Sequence, residues 1–325
     1  MGQKILITGG CGFFGTWLIR RLLDDGDQPI IMDIAKNTNR WEMVLSPKEI
    51  EGIPFHIAKI DDTETILALV AKVQPDAIIH LAALQVPTCR ENPLAGAKVN
   101  VIGTLNIFEA AKAQRAAGHP LPRIVYASSA AVFGHDAEYA ETSVGDDGAL
   151  KPTTHYGAFK VCNESSAKAY WIANQIPSVG LRPLTVYGPG RDTGMTSFPT
   201  RALAAVIKGQ TFDIPFTGKT AYIHMREVAD MFITAARKPM TNCLVYTVGG
   251  DIVDTKDFIA EAEKLLPGAK KLITCSGAPL PIVSRVDDAS LRQAYPGLLR
   301  IPLAQGLAET IAVFKRRHAE GKLEV

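Results

Sequence analysis

The first half of the chain alternates short, continuously apolar segments with amphipathic ones, and this alternation limits the folds open to it. The apolar segments have the length and composition of β-strands, and the segments between them have helical periodicity. Strands that alternate with helices predict a parallel sheet covered on both faces, which is why such strands are apolar throughout. The predicted strands are 4–8, 29–33, 53–58, 77–81, 123–128 and 178–182, and the predicted helices are 13–23, 63–73, 94–117 and 156–174.

The alternation weakens after residue 183, where proline and glycine become frequent and only short elements can be predicted. We therefore expect two parts. Residues 1–183 form an α/β domain with a doubly wound parallel sheet, and residues 184–325 form a smaller substrate-binding lobe beside it. Some segments of the lobe are expected to cross back to the sheet.

The composition excludes several classes of protein. The 325 residues are 47% hydrophobic and 21% charged, which favours a folded core over a disordered chain. The net charge is +2, so we expect neither nucleic acid nor a membrane surface as a partner. No apolar stretch has the ~20 residues of a membrane-spanning helix, and the N-terminal segment lacks the pattern of a signal peptide. Five scattered cysteines without a CxxC pair favour a cytoplasmic protein with no metal site.

A glycine-rich turn follows the first predicted strand directly. Gly9, Gly12 and Gly15 form a GxxGxxG pattern, with Phe13 and Phe14 between the last two glycines. A strand that turns sharply into a helix beside a bound pyrophosphate needs glycine for the turn, for the approach of the anion and for helix packing. The N–H groups at the helix N-terminus then favour the anion. The pattern by itself also fits an ordinary tight turn.

The second predicted strand ends in Asp33, and this favours a dinucleotide as the bound anion. A carboxylate at that position can accept hydrogen bonds from both ribose hydroxyls of an adenosine, and it repels a 2′-phosphate. The sequence therefore predicts NAD rather than NADP as the cofactor. Lys36 and Arg40 follow closely and could hold a phosphate, which leaves NADP as the alternative.

Tyr156 and Lys160 lie one turn apart on a predicted helix, in a YxxxK pattern. Residues at i and i+4 share a helix face, so the ammonium group can lower the pKa of the phenol. The resulting tyrosinate would take a proton from a substrate hydroxyl. Ser129 follows the fifth predicted strand, at the edge where open α/β sheets bind ligands, and its hydroxyl could hold the reacting oxygen. These three residues form the predicted catalytic group.

Motifs along nearly the whole chain resemble those of the extended short-chain dehydrogenases/reductases of the NAD-dependent epimerase/dehydratase type. They are TGGCGFFG, the acidic end of strand two, HLAA at 80–83, NVIGT at 100–104, SSAAVFG, YGAFK, LRP at 181–183, YGP at 187–189 and AYIHMREVAD. The resemblance implies a Rossmann-type fold, bound NAD, and catalytic roles for Ser129, Tyr156 and Lys160, with the last two also at the cofactor. Further cofactor positions that it implies are Leu81, Ala82, Ala83, Asn100 and Pro183.

Two regions depart from the family pattern. Lys59 stands where the family usually carries an Asp that binds the adenine, so we expect Ile60 or Asp61 to make that contact. Thr185 and Thr220 stand where nucleotide-sugar enzymes often carry an Asn and an Arg that grip the substrate diphosphate. Their replacement favours a smaller substrate over a nucleotide sugar.

Six residues are predicted to contact the substrate. Arg191 and Arg201 are candidate clamps for a carboxylate or a hydroxyl, because a guanidinium can bind such groups through parallel hydrogen bonds. Gln85 follows the HLAA segment, at a position that lines the substrate pocket in the family. The full set is Gln85, Ser129, Thr185, Arg191, Ser197 and Arg201.

Two functions fit these residues. The main hypothesis is an NAD-dependent dehydrogenase that oxidises a secondary hydroxyl of a small sugar acid, hydroxy acid or lactone. The alternative is an NAD-dependent sugar or nucleotide-sugar epimerase, in which a transient ketone is reduced again on its other face. A protein that only binds NAD would not need Ser129, Tyr156 and Lys160 together.

The resemblance also implies a homodimer, built as a helix bundle by helices 94–117 and 156–174.

Overall fold

The computed structural model describes residues 2–140 and 143–325, and its strands and helices alternate through the first half of the chain. The strands are β1 (Lys4–Thr8), β2 (Gln28–Asp33), β3 (Phe55–Ile57), β4 (Ala77–His80), β5 (Arg123–Ala127), β6 (Ser178–Pro183), β7 (Thr185–Tyr187), β8 (Phe212–Ile214), β9 (Lys219–His224), β10 (Cys243–Val248), β11 (Asp251–Asp254) and β12 (Ile273–Cys275). The helices are α1 (Phe13–Asp24), α2 (Pro47–Gly52), α3 (Thr63–Val73), α4 (Val86–Glu91), α5 (Pro93–Ala97), α6 (Gly103–Ala116), α7 (His155–Asn174), α8 (Phe198–Ile207), α9 (Met225–Arg237), α10 (Thr255–Leu265), α11 (Ala269–Leu272), α12 (Ala289–Ala294) and α13 (Leu303–Ala319).

The large sheet is parallel, with the strand order β10-β6-β5-β4-β1-β2-β3. Alternate residues of β1 enter two different cores: Ile5 and Ile7 face one core, and Leu6 faces the other. Each of the three is buried, because helices cover both faces of the sheet. The predicted α/β fold with a doubly wound parallel sheet is confirmed.

The predicted helix 94–117 is interrupted. After α5 the chain makes a π-helical turn at Lys98–Ile102, and α6 begins at Gly103. The wider turn places Asn100 inside the protein, where it is 1% exposed. The chain is helical on both sides of this turn, so the sequence pattern does not reveal where the turn widens. The third strand is also shorter than predicted, because β3 pairs with β2 only over Phe55–Ile57.

The second half of the chain builds a smaller core of its own. Strands β7, β9 and β11 form a three-stranded sheet, β8 pairs with β12, and α8, α10 and α13 pack around a cluster that includes Phe258 and Leu307. Two elements beyond residue 184 pack on the large sheet instead: α9 lies against α1, and β10 pairs with β6. The sequence analysis predicted no strand at β10, whose first half is only partly buried at the sheet edge.

Within the described ranges, no helix is long and apolar enough to cross a membrane. The homodimer stays a prediction. Leu94, Ile102 and Ile172 are exposed on the helical segments to which the dimer contact was assigned.

Candidate active site

A cavity of about 1030 Å³ opens at the carboxyl ends of the parallel strands. Residues that follow β1, β2, β4, β5 and β6 line it, together with the first residues of α1 and α7. The carboxyl ends of parallel strands meet at one edge of the sheet, and their loops diverge where the winding of the sheet reverses. The topology thus brings distant segments of the chain together around one ligand site.

The glycine turn has the geometry that a bound anion requires. Gly9 has a left-handed backbone with a φ of 71°, and a Cβ there would lie 2.8 Å from the backbone of Ala82. A Cβ on Gly15 would lie 2.3 Å from the carbonyl oxygen of Gly10, so α1 packs directly on the turn. Gly12 occupies the N-cap position of α1 and has no side chain to accept the N–H groups of the first turn. These N–H groups are therefore open to an anion in the cavity.

Asp33 lies at the end of β2 and lines the cavity. Its carboxylate accepts hydrogen bonds from the backbone N–H groups of Cys11, at 2.9 Å, and Ile34, at 2.8 Å. These two bonds hold the carboxylate beside the glycine turn. Arg40 donates to both carboxylate oxygens of Asp192, at 2.9 and 2.8 Å, so a carboxylate already neutralises the guanidinium that was a candidate for binding a 2′-phosphate. This arrangement favours NAD over NADP.

Other residues predicted at the cofactor also line the cavity: Phe13, Phe14, Ile60, Asp61, Leu81, Ala82, Ala83 and Pro183. Asn100 lies behind the wall, where its amide bonds the N–H and the carbonyl of Leu84, at 2.7 and 2.9 Å. It thereby fixes the segment that follows β4. Gly15 likewise packs behind the wall, and Lys59 is exposed.

The catalytic candidates come together at the end of β5 and the start of α7. Ser129, Tyr156 and Lys160 all line the cavity. The Lys160 Nζ donates to the carbonyl of Ala127 at 2.6 Å and lies 5.5 Å from the centre of the Tyr156 ring. The Oγ of Ser129 accepts a hydrogen bond from the N–H of Ala131 at 3.1 Å. The structure therefore holds a phenol, a hydroxyl and an ammonium group in one cavity.

Burial has the largest effect on the pKa values of Tyr156 and Lys160. Loss of solvent raises the pKa of Tyr156, while a hydrogen bond with Ser129 and the positive charge of Arg191 act in the opposite direction. Burial lowers the pKa of Lys160 to about 8. The sequence analysis assigned the lowering of the phenol pKa to Lys160, and in this structure Ser129 and Arg191 are the groups that lower it.

A buried ion pair behind the cavity was missed from the sequence. The Nε and Nη2 of Arg182 donate to the two carboxylate oxygens of Glu164, at 2.8 and 2.7 Å. Ser128 donates its Oγ to the same carboxylate at 2.5 Å. Glu164 lies one turn after Lys160 on α7, so a YxxxKxxxE spacing is the local signal that could have identified it. The ion pair ties α7 to β6, and the Ser128 bond ties the same helix to the end of β5, where the catalytic candidates meet.

The predicted substrate residues separate into two groups. Gln85, Ser129 and Arg191 line the cavity. Three others lie outside the lining: Thr185, Ser197 and Arg201.

Each of these three makes contacts elsewhere. The Oγ1 of Thr185 lies 2.7 Å from the Oγ1 of Thr220, in a buried contact between β7 and β9. Ser197 is buried at the N-terminus of α8. The Arg201 guanidinium lies 5.5 Å from the ring centres of both Phe198 and Phe212. We therefore leave these residues out of the proposed site.

The structure also adds residues to the lining that the sequence analysis did not name. Arg90 reaches the cavity from α4, five positions after Gln85. Met195 and Thr196 come from the same loop as Arg191, and the segment 280–282 comes from the smaller lobe. No motif marks the segment 280–282, because only the packing of the lobe brings it to the sheet edge.

The residues fit NAD. The cavity holds a carboxylate at the end of β2 for the adenosine ribose, open N–H groups at the start of α1 for the pyrophosphate, and the Lys160 ammonium for the nicotinamide ribose. These three groups lie on one continuous cavity lining.

Comparison with known proteins identifies the family of the chain. The model of the NAD dependent epimerase/dehydratase family matches residues 5–249. The UDP-glucose 4-epimerase of Mycolicibacterium smegmatis is 28% identical, over 97% of this chain and 99% of its own. The dTDP-L-rhamnose 4-epimerase of Burkholderia thailandensis is also 28% identical, over 90% of this chain and 87% of its own.

A solved structure has the same fold. The UDP-glucose 4-epimerase of Thermus thermophilus, in complex with NAD, superposes with a TM-score of 0.80 at 22% identity, over 96% of this chain and 99% of its own. The family match covers most of the chain and includes the glycine turn and the catalytic candidates. The chain belongs to the NAD dependent epimerase/dehydratase family, and it is an NAD-dependent enzyme of the extended short-chain dehydrogenase/reductase type.

Proposed function

We propose that the protein is an NAD-dependent epimerase that inverts a secondary hydroxyl of a sugar through a transient ketone. The observation that carries this proposal is the meeting of Ser129, Tyr156 and Lys160 in the same cavity as the glycine turn and Asp33. The relatives named as 4-epimerases support the alternative of the sequence analysis over its main hypothesis of net oxidation.

The chain's own residues supply the acid–base chemistry. Tyr156 takes the proton of the substrate hydroxyl, and Ser129 holds the same oxygen by a hydrogen bond. The Lys160 ammonium group is held in the cavity by its bond to the carbonyl of Ala127, and there it would bind the nicotinamide ribose. Bound NAD supplies the hydride acceptor. Inversion then requires that the ketone turn within the cavity before Tyr156 returns the proton.

A net dehydrogenase of a small sugar acid is the second candidate, and one observation favours it. Thr185 and Thr220 stand where nucleotide-sugar enzymes often grip the diphosphate, and their hydroxyls bond each other away from the cavity. A substrate without a diphosphate would not need that grip.

Incubation with NAD and two panels of substrates separates the two candidates. One panel contains small sugar acids and polyols, and the other contains nucleotide sugars. Reduced nicotinamide is followed by absorbance, and stereochemistry by NMR. An epimerase should invert a sugar with no net reduction of NAD, whereas a stoichiometric accumulation of reduced nicotinamide would establish the dehydrogenase and refute the epimerase.

Replacing Asp33 with alanine should weaken NAD binding by about 10- to 100-fold, because bonds from hydroxyls to a charged carboxylate are lost. NADP binding should weaken less or improve, because the repulsion of a 2′-phosphate is also lost. Titration of both dinucleotides by calorimetry measures the change. Asp257→Ala, an exposed position on α10, is the control. An unchanged ratio of NAD to NADP affinity in Asp33→Ala would place the ribose elsewhere.

Activity should rise with pH, because burial raises the pKa of Tyr156 and the oxidation step needs the phenolate. Ser129 lowers that pKa by its hydrogen bond. In Ser129→Ala the rise of kcat should therefore move to higher pH, besides any loss of rate. A pH–kcat profile of both proteins tests this, and a shift to lower pH would contradict the assignment of Tyr156 as the base.

A further inference from the structure

Arg191 is a cation in the cavity that forms no ion pair with a carboxylate of the described residues. Its Nη2 donates to the Oγ1 of Thr196 at 2.9 Å, and its guanidinium lies 5.7 Å from the centre of the Phe13 ring. Its Nε is buried and has no hydrogen-bond partner within the described part of the chain. The neighbouring Asp192 does not pair with it, because both oxygens of that carboxylate bind Arg40.

The charge of the cavity lining is consistent with an anionic ligand at this end. The described carboxylates of the lining are Asp33 and Asp61, which belong to the proposed adenosine site. Arg90 lines the same cavity and is exposed. A buried N–H of a guanidinium without a partner is costly unless a ligand accepts from it, and a carboxylate matches the planar geometry of the group.

Arg191 also lies close to the reacting group. Its charge lowers the pKa of the Tyr156 phenol, and the phenolate of Tyr156 in turn acts to raise the pKa of the Arg191 guanidinium. Both side chains line the same cavity, so an anion bound by Arg191 would share that cavity with the hydroxyl that faces Tyr156. The NAD pyrophosphate has its own donors at the start of α1.

We propose that Arg191 binds a carboxylate of the substrate, so that the substrate class is a sugar acid, either free or as the sugar of a nucleotide-linked uronate. This inference rests on the proposed function, since it places the carboxylate relative to the hydroxyl that Tyr156 deprotonates. Gln85 lies within the same lining, where its amide can bind a neighbouring hydroxyl.

Binding to the NAD-loaded Tyr156→Phe protein tests the substrate class without turnover. The probes are D-glucuronate, D-galacturonate, small aldonates and UDP-glucuronate, each compared with its neutral counterpart by calorimetry. We expect a carboxylate probe to bind at least about 10-fold more tightly than its neutral counterpart. Comparing the affinities of the free sugar acids with that of UDP-glucuronate shows whether the carboxylate belongs to a free sugar acid or to a nucleotide-linked uronate. If no carboxylate probe binds better than its neutral counterpart, the proposal is wrong.

Arg191→Met then tests the residue. It should weaken binding of the carboxylate probe by about 10- to 100-fold and leave the neutral probe unchanged. Arg191→Lys should recover only part of the lost affinity, because lysine keeps the positive charge but cannot form two parallel hydrogen bonds with a carboxylate. Arg226→Met, which removes an exposed arginine from α9, is the matched control.

The affinity for NAD itself decides between the substrate and the cofactor as the partner of Arg191. In Arg191→Met the Kd for NAD should stay within about threefold of the original value, because the proposed pyrophosphate donors are unchanged. A loss of NAD affinity as large as the loss of carboxylate affinity would assign Arg191 to the pyrophosphate and overturn the proposal. If a carboxylate probe binds through Arg191 but NAD is neither reduced nor any sugar inverted in the turnover assay, the proposed function fails and this inference stands.

Discussion

Replacing Tyr156 with phenylalanine should lower kcat by about 10³-fold, since general acid–base catalysis by a positioned side chain contributes about 10²–10⁴-fold. The ring should keep its place on α7, because the substitution removes only the hydroxyl and leaves the contact of the ring with Lys160, whose Nζ lies 5.5 Å from the ring centre. NAD should still bind, because its proposed contacts at Asp33 and the glycine turn remain. Turnover is measured with the substrate found in the panels, and NAD affinity by calorimetry.

Tyr170→Phe is the matched control for this experiment. Tyr170 lies on the same helix, and its hydroxyl bonds Glu109 at 2.8 Å, away from the cavity. It should keep nearly full activity. A Tyr156→Phe protein that retains more than about a tenth of the original kcat would show that another group takes the proton.

Replacing Glu164 with leucine should lower the free energy of unfolding by about 3–5 kcal/mol, because it leaves the Arg182 guanidinium buried without its partner. The two side chains are 6% and 5% exposed, so water cannot take the place of the carboxylate. Ser128 loses its acceptor at the same time. A natural domain is stable by only about 5–15 kcal/mol, so this is a large fraction. Denaturant unfolding monitored by circular dichroism measures the loss.

The double variant Glu164→Leu with Arg182→Met separates a lost pair from a poorly packed side chain. Apolar residues of similar volume can replace a buried ion pair with little loss of stability, so the double variant should recover most of the loss. Arg182 also donates to the carbonyl of Asp146, at 2.8 Å, and that bond is lost in the double variant. A loss below about 1 kcal/mol in the single variant would mean that the pair behaves like one at the surface.

Local patterns in the sequence were sufficient for much of the fold. The predicted strand 4–8 and helix 63–73 agree with β1 and α3 at both ends, because the apolar pattern and the end signals lie within each element. The glycine turn and the YxxxK pair are also local, since each places its groups within a few residues of the chain. The strand β10 was missed because its first residues are only partly buried at the edge of the sheet.

The choice between epimerase and dehydrogenase lies beyond such patterns. Ser129 and Tyr156 serve the same oxidation in both, and the outcome depends on whether the ketone turns and is reduced in place. The comparisons, rather than any motif in the cavity, favour the epimerase.

The sequence by itself determined the alternating α/β fold, and it predicted the glycine turn and the pairing of Tyr156 with Lys160, because each of these depends on residues close together in the chain. Only the tertiary structure decided which polar residues reach the cavity. Arg191 and Arg201 looked equivalent, yet Arg191 lines the cavity while Arg201 stacks on the rings of Phe198 and Phe212. Such choices depend on contacts between elements distant in sequence, and their packing energy is not encoded in any one segment.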